Sequence, residues 1–202
     1  MVTGTIPSSE GSGVLPQGYE VEMLNSDGTP WPWWCKIPDL PYYEEWSHHS
    51  QSGLVACGGL SHRNSCYTLD FEHRSWKLTH QLLHERYDHS SWLSEKHGVI
   101  LMGGTDDNMD MDSIISTEKL NDYGGSEESF ALKYPTRFAC SIQFDERVVV
   151  TGGEFTKTRV SVYDIGGWIE DLPDLNKGRF GHGCGHYVDD NNKTVLRVHS
   201  LK

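Results

Sequence analysis

Short apolar runs recur along this chain, and each ends in a glycine pair or its remnant: Val2-Thr3-Gly4, Val55-Ala56-Cys57-Gly58-Gly59, Leu101-Met102-Gly103-Gly104 and Val149-Val150-Thr151-Gly152-Gly153. Counted from Gly4 the spacings are 54, 45 and 49 residues. Runs such as Val148-Val149-Val150 show no polar alternation, which predicts short strands buried on both faces. A glycine after such a strand permits positive φ or a close backbone approach that a β-carbon would obstruct. Past each glycine pair come a polar loop and a second β-type stretch, at 19–24, 66–69, 116–120 and 160–163. In the last of these Val160 and Val162 face one way and Ser161 and Tyr163 the other, as expected of a strand nearer the outside.

An aromatic follows each second stretch: Trp33, Trp76, Phe130 and Trp168. These large side chains are expected to seal one small sheet against the next. A Leu/Pro loop then appears, as Ile37-Pro38-Asp39-Leu40 and Leu172-Pro173-Asp174-Leu175. The cycle restarts at a motif of the form Arg-x-x-His: Trp46-Ser47-His48-His49, Arg86-Tyr87-Asp88-His89, Arg137-Phe138-Ala139-Cys140 and Arg179-Phe180-Gly181-His182. No stretch of ten or more residues keeps a helical apolar period without Gly or Pro, so almost no helix is expected.

A cycle of about 47 residues with Gly-Gly closing strand 2, an aromatic after strand 3 and Arg-x-x-His opening strand 1 resembles the kelch repeat. The resemblance covers nearly the whole chain. It implies an all-β, kelch-type β-propeller of four-stranded antiparallel blades. The repeat residues are Gly58, Gly59, Gly103, Gly104, Gly152, Gly153, Trp33, Trp76 and Trp168. Four positions depart from the pattern: Thr5 follows Gly4, Trp46 stands for Arg, Phe130 for Trp and Cys140 for His. Counting from the motif gives a partial blade at 1–45, blades at 46–85, 86–136 and 137–178, and a partial blade at 179–202. About four blades' worth of sequence is thus present. The preferred reading is an incomplete part of a six- or seven-bladed propeller, because the run Thr194-Val195-Leu196-Arg197-Val198 has no place in a closed ring of four. The alternative is a four-bladed ring in which 181–187 supplies the missing inner strand. Open sheet edges would invite self-association.

If strand 1 runs up and strand 2 down, the 2→3 and 4→1 loops share one face. The 2→3 loop at 105–113 is long and the 1→2 turn at 94–96 short, so the first face is the expected binding face. Kelch propellers hold a peptide or protein partner there, which is what the resemblance implies. The partner-binding candidates are His62, Arg63, Asn64, Asp106, Asp107, Asp110, Phe155, Lys157, Arg86, Tyr87 and Arg179.

Charge narrows the partners. With 17 Lys+Arg against 29 Asp+Glu the formal charge is −12, and no basic run exists. Nucleic acid is therefore not an expected partner, since phosphate binding needs clustered cations. A basic or polar protein would associate faster than an acidic one. The longest uninterrupted apolar runs, Leu54-Val55-Ala56-Cys57 and Val99-Ile100-Leu101-Met102, fall far short of the roughly 20 residues a spanning helix needs, so no membrane insertion is expected. The opening residues MVTGTIPSSEGSG carry neither the charged nor the apolar region of a secretory leader. The compartment stays open.

Candidate chemistry is sparse. No phosphate-loop, nucleophile-elbow or zincin pattern occurs. Asp106-Asp107-Asn108-Met109-Asp110 begins like a calcium loop, but Met111 holds the glycine position and Thr117 that of the bidentate glutamate. His182, Cys184 and His186 alternate along one strand face, and three collinear ligands fit a tetrahedral metal site poorly. No catalytic residue, cofactor or metal ligand is assigned. Five cysteines, Cys35, Cys57, Cys66, Cys140 and Cys184, leave at least one thiol unpaired within the chain, and Cys57 and Cys66 flank a turn that allows a cross-strand bridge. One sequon, Asn192-Lys193-Thr194, matters only if the chain is secreted. The expected function is a non-catalytic interaction module. The alternative is a secreted enzyme on a propeller scaffold, of copper-radical oxidase or sugar-processing type.

Overall fold

The computed structural model describes Pro38 and residues 47–50, 53–59, 62–106, 115–189, 191 and 194–199. Gly4, residues 19–24, Trp33, Cys35, Trp46, Asp107, Asp110 and the sequon at Asn192 lie outside them. Among the described residues fourteen strands form four antiparallel sheets. Sheet I holds β1 (Ser47–Ser50), β2 (Gly53–Cys57), β3 (Ser65–Asp70) and β4 (Ser75–Gln81) in that spatial order. Sheet II holds β5 (Ser90–Ser94), β6 (Gly98–Met102), β7 (Thr117–Leu120) and β8 (Ser126–Glu128). Sheet III is built from β9 (Cys140–Phe144), β10 (Arg147–Thr151), β11 (Val160–Asp164) and β12 (Gly167–Leu172). Sheet IV pairs β13 (Gly183–Val188) with β14 (Thr194–His199). The expected all-β architecture is therefore present, and among the described residues only Ile115 is helical.

Strands predicted to be buried on both faces are so because each second strand serves two cores. In β6, Val99 and Leu101 pack with Val55 and Cys57 of sheet I, while Ile100 and Met102 pack with Val148 and Val150 of sheet III. In β10, Val149 turns the other way and joins Ile142, Cys184 and Leu196 between sheets III and IV. The period-two pleat thus distributes one apolar run between two interfaces. The first strands β1, β5, β9 and β13 touch in succession, so the sheets are stacked in chain order about a common inner side. No ring closure is seen among the described residues.

Aromatic packing departs in part from expectation. Phe130 is buried and stacks on Tyr163 with ring centroids 5.8 Å apart, joining sheets II and III. Trp168, expected to seal sheets, is 43% exposed, with Lys133 Nζ 3.6 Å from its ring centroid. Trp76 covers Leu54 and Leu69, and its indole N–H donates to the Pro38 carbonyl at 2.9 Å. Among the described residues the core indole is Trp92 of β5, which stands against Phe130.

Two disulfides are formed among the described residues. Cys57 and Cys66 bridge the register pair of β2 and β3, as the turn between them allows. Cys140 and Cys184 join β9 to β13 across the boundary between sheets III and IV.

The glycine pairs and the Arg-x-x-His motifs prove to be two halves of one joint. The second glycine's N–H donates to the carbonyl of the next sheet's entry: Gly59 to Arg86 at 3.1 Å, Gly104 to Thr136 at 2.8 Å and Gly153 to Arg179 at 2.9 Å. The chains approach so closely that a β-carbon on Gly152 would lie 2.5 Å from the Arg179 carbonyl oxygen and 2.7 Å from the His182 ring, at a φ of +63°. Gly183, by contrast, faces open space. Gly152→Ala is expected to destabilise the fold by at least about 2 kcal/mol from left-handed strain and the clash. Gly183→Ala should be neutral or slightly stabilising, and urea unfolding of both variants checks the contrast.

Candidate functional site

The third copy of the motif sits one residue earlier than the sequence pattern suggests. Asp88, Phe138 and Gly181 all have positive φ (57°, 55° and 56°), and each precedes its strand by two residues. Their backbones are linked in series, Phe138 N–H donating to Asp88 O at 3.0 Å and Gly181 N–H to Phe138 O at 2.8 Å. The matching tetrads are therefore Arg86-Tyr87-Asp88-His89, Thr136-Arg137-Phe138-Ala139 and Arg179-Phe180-Gly181-His182. Ala139, not Cys140, occupies the histidine place. Cys140 is the first residue of β9, where it is free to meet Cys184.

The loops predicted to share a face do so. Arg63 O accepts from Arg86 N–H at 2.9 Å, Tyr87 and Thr105 exchange backbone bonds at 2.9 Å each, and Lys157 O accepts from Arg179 N–H at 2.8 Å. On this face Tyr87 lies between two guanidinium groups, those of Arg63 and Arg137, each 5.5 Å from its ring centroid. Arg137 is fixed by Asp88 at 2.9 Å and Glu154 at 3.4 Å, and it also covers Phe138 at 4.8 Å. Phe138 in turn meets Phe180, with centroids 6.4 Å apart. Phe180 is 58% and Phe155 46% exposed. The second tetrad position thus supplies Tyr87, Arg137 and Phe180 from three successive crossovers to one surface.

His62 is half-buried and edge-on to Tyr67, and Asn64 is exposed while its carbonyl accepts from Leu82 N–H at 2.7 Å. Asp106 is half-buried, Lys157 exposed and Arg179 half-buried. Arg86 takes no part in the surface. At 1% exposure its guanidinium pairs with Glu118 and donates to Gly103 O at 2.5 Å and Ser116 Oγ at 3.1 Å. The residues missed from sequence are Arg137, Asp88, Phe138 and Phe180. Placing the third tetrad correctly would have flagged Arg137 and Phe180 beside Tyr87.

Glu118 anchors the crossover from sheet I to sheet II. Its carboxylate accepts from the N–H groups of Leu83 at 2.8 Å and His84 at 3.1 Å and from Ser126 Oγ at 2.6 Å. Burial pushes its pKa up, but the Arg86 charge and these donors outweigh that and hold it below the ordinary carboxylate value. Asp171 does the same for the next crossover. It accepts from Tyr134 OH at 2.9 Å, Lys133 Nζ at 3.1 Å, Ser161 Oγ at 2.7 Å and Trp168 Nε1 at 3.1 Å. Burial again opposes ionisation there, and the donors override it to keep the carboxyl well below its usual range.

The alternating His182, Cys184 and His186 do not assemble a metal site. Cys184 is in the disulfide, His182 Nε2 lies 2.9 Å from Thr151 Oγ1, and His186 meets Phe144 edge-on. Gly183 and Gly185, which alternate with them, face open space among the described residues. Among those residues no group of three or more His, Cys, Asp or Glu side chains could hold a metal ion. No described helix is long and apolar enough to cross a membrane.

No protein-family profile matches this sequence, and no curated protein matches it either. Among solved structures the chain is similar to YjhT, with a TM-score of 0.65 over 84% of this chain at 12% identity. The chain spans 63% of the length of that structure. A likeness at this identity concerns the fold alone, and with the stacked four-stranded sheets it supports a β-propeller-like architecture.

Two outcomes follow from the buried charges. Arg86→Met strands the Glu118 carboxylate without its partner and should cost roughly 3–5 kcal/mol of stability. Glu127→Gln, which breaks the exposed Lys119–Glu127 pair at 2.7 Å, should cost under about 1 kcal/mol in the same denaturation experiment. Burial, then the Arg179 charge, lowers the pKa of His182, whose Nδ1 has no partner to receive an added proton. Below the unfolded value of about 6.5 the unfolded chain therefore binds more protons than the folded one, so stability falls as pH falls through that value. Urea midpoints measured from pH 7.5 to about 5 should show a shallower decline in His182→Gln.

Proposed function

We propose that this chain is a kelch-type array, part of a larger propeller, that serves as a non-catalytic module holding a peptide or protein partner on the face of its 2→3 loops and crossovers. One observation carries the reading: Tyr87, Arg137 and Phe180 come from equivalent positions of successive crossovers to one surface, beside the exposed Phe155. Aromatic and arginine side chains dominate the energetics of protein interfaces because they bury large area at low entropic cost. Arg137 is held by two carboxylates, and the Tyr87 backbone is bonded to Thr105 in both directions. A preorganised surface loses less entropy on binding. The kelch assignment is supported by the joint between glycine pairs and the following motifs, which recurs at three sheet boundaries.

Selection of a displayed random-peptide library against the full chain tests this reading. Enriched peptides should perturb the NMR signals of Tyr87, Arg137, Phe155 and Phe180. The double variant Phe155→Ala, Phe180→Ala should weaken them by about ten-fold or more with little change in unfolding midpoint, both side chains being exposed. Failure to enrich any peptide, or binding indifferent to both substitutions, would count against the module. Stoichiometric copper with oxidase turnover would point to the scaffold-enzyme alternative instead.

A further inference from the structure

The opposite face carries a feature that the proposed function does not use. Between sheets I and II, next to the β5–β6 turn and the β7–β8 turn, lies a cleft of about 280 Å³. Val55, Leu93, Val99 and Leu120 form its apolar wall, and the carboxylates of Glu95 and Asp122 stand at its rim. Both carboxylates are exposed, and neither takes part in an ion pair or hydrogen bond among the described residues. The remaining ionisable lining group is His80, whose Nδ1 lies 3.0 Å from Thr79 Oγ1. A second cavity, of about 470 Å³, shares Glu95 and adds Asp145 and Glu146, so negative potential extends from the cleft toward sheet III.

We propose that this cleft binds a small alkylammonium ligand, an unbranched hydrocarbon stem bearing one protonated amine. The apolar wall would bury the stem, and the two rim carboxylates would receive the ammonium head in charge-assisted hydrogen bonds. Anions are disfavoured by the rim charges and by the overall charge of −12. The inference stands apart from the reading of the other face, since it shares no residue with it.

The test titrates the full chain with n-pentylammonium while recording its NMR spectrum. Val55, Leu93, Val99 and Leu120 should shift saturably, with a dissociation constant on the order of 1–10 mM for so small a ligand. 1-Pentanol has the same stem without the charge and should bind at least about three-fold more weakly. Glu95→Gln and Asp122→Asn should each weaken the ammonium by about three-fold. Glu170→Gln removes an exposed carboxylate of β12 and should change nothing. The proposal is overturned if shifts fail to saturate by about 50 mM, if pentanol binds as well as the amine, or if Glu170→Gln weakens binding as much as Glu95→Gln. The comparison of amine with alcohol is made on the unaltered chain and does not depend on any variant folding.

Discussion

Each sheet in this protein meets the next through a backbone hydrogen bond donated by the second residue of a glycine pair. A strand ends, two residues without side chains turn at positive φ, and the second donates its N–H to the entry of the following sheet. Replacing the hydrogen on Gly58 by a β-carbon would place it 2.3 Å from the Arg86 carbonyl oxygen. Because the sheets touch here, the second strands can be apolar on both faces. Val99 and Val149 then belong to one interface while Ile100 and Val150 belong to another. The stack depends on this spacing, since pushing two sheets apart at the glycines would open two cores at once.

A second constraint acts at the crossovers. The chain leaving one sheet has unpaired N–H groups where it passes over the next, and a carboxylate planted on that next sheet receives them. Glu118 does so for Leu83 and His84, with Arg86 as counter-charge. Asp171 holds Lys133 and Tyr134 by side-chain contacts instead. The two copies use different chemistry for one mechanical task. This explains why the arginine of the motif is buried in one crossover while Thr136 suffices in another.

Strand positions were legible because burial on two faces leaves an unbroken apolar run, and the glycines mark where it must stop. The loop face was legible from strand parity alone. The register of the third motif was not. Arg137 offers the expected letter one place late, and only the positive φ of Phe138 and its bond to Asp88 reveal the shift. Trp92 was overlooked as a core residue because its neighbours Ser90, Ser91 and Ser94 make the strand look polar; those hydroxyls are nevertheless buried, Ser90 donating to Ala139 O at 2.8 Å and Ser94 to Glu146 at 2.7 Å. The pairing of Cys140 with Cys184 could not be read from spacing, since it depends on which strands become neighbours at the inner side. The cleft at Glu95 and Asp122 was invisible for the same reason, being the gap between two sheets rather than a property of either.

The Cys140–Cys184 link gives the array an asymmetric response to mechanical load. Its cysteines are 44 positions apart, and everything between them, including β9 through β12, is enclosed in a covalent loop. Tension applied at the two ends of the chain would bypass that loop, concealing roughly 15 nm of contour length that an uncrosslinked stretch of this size would release. Sheets I and II would yield to force while sheet III and the first strand of sheet IV stayed tethered at that link.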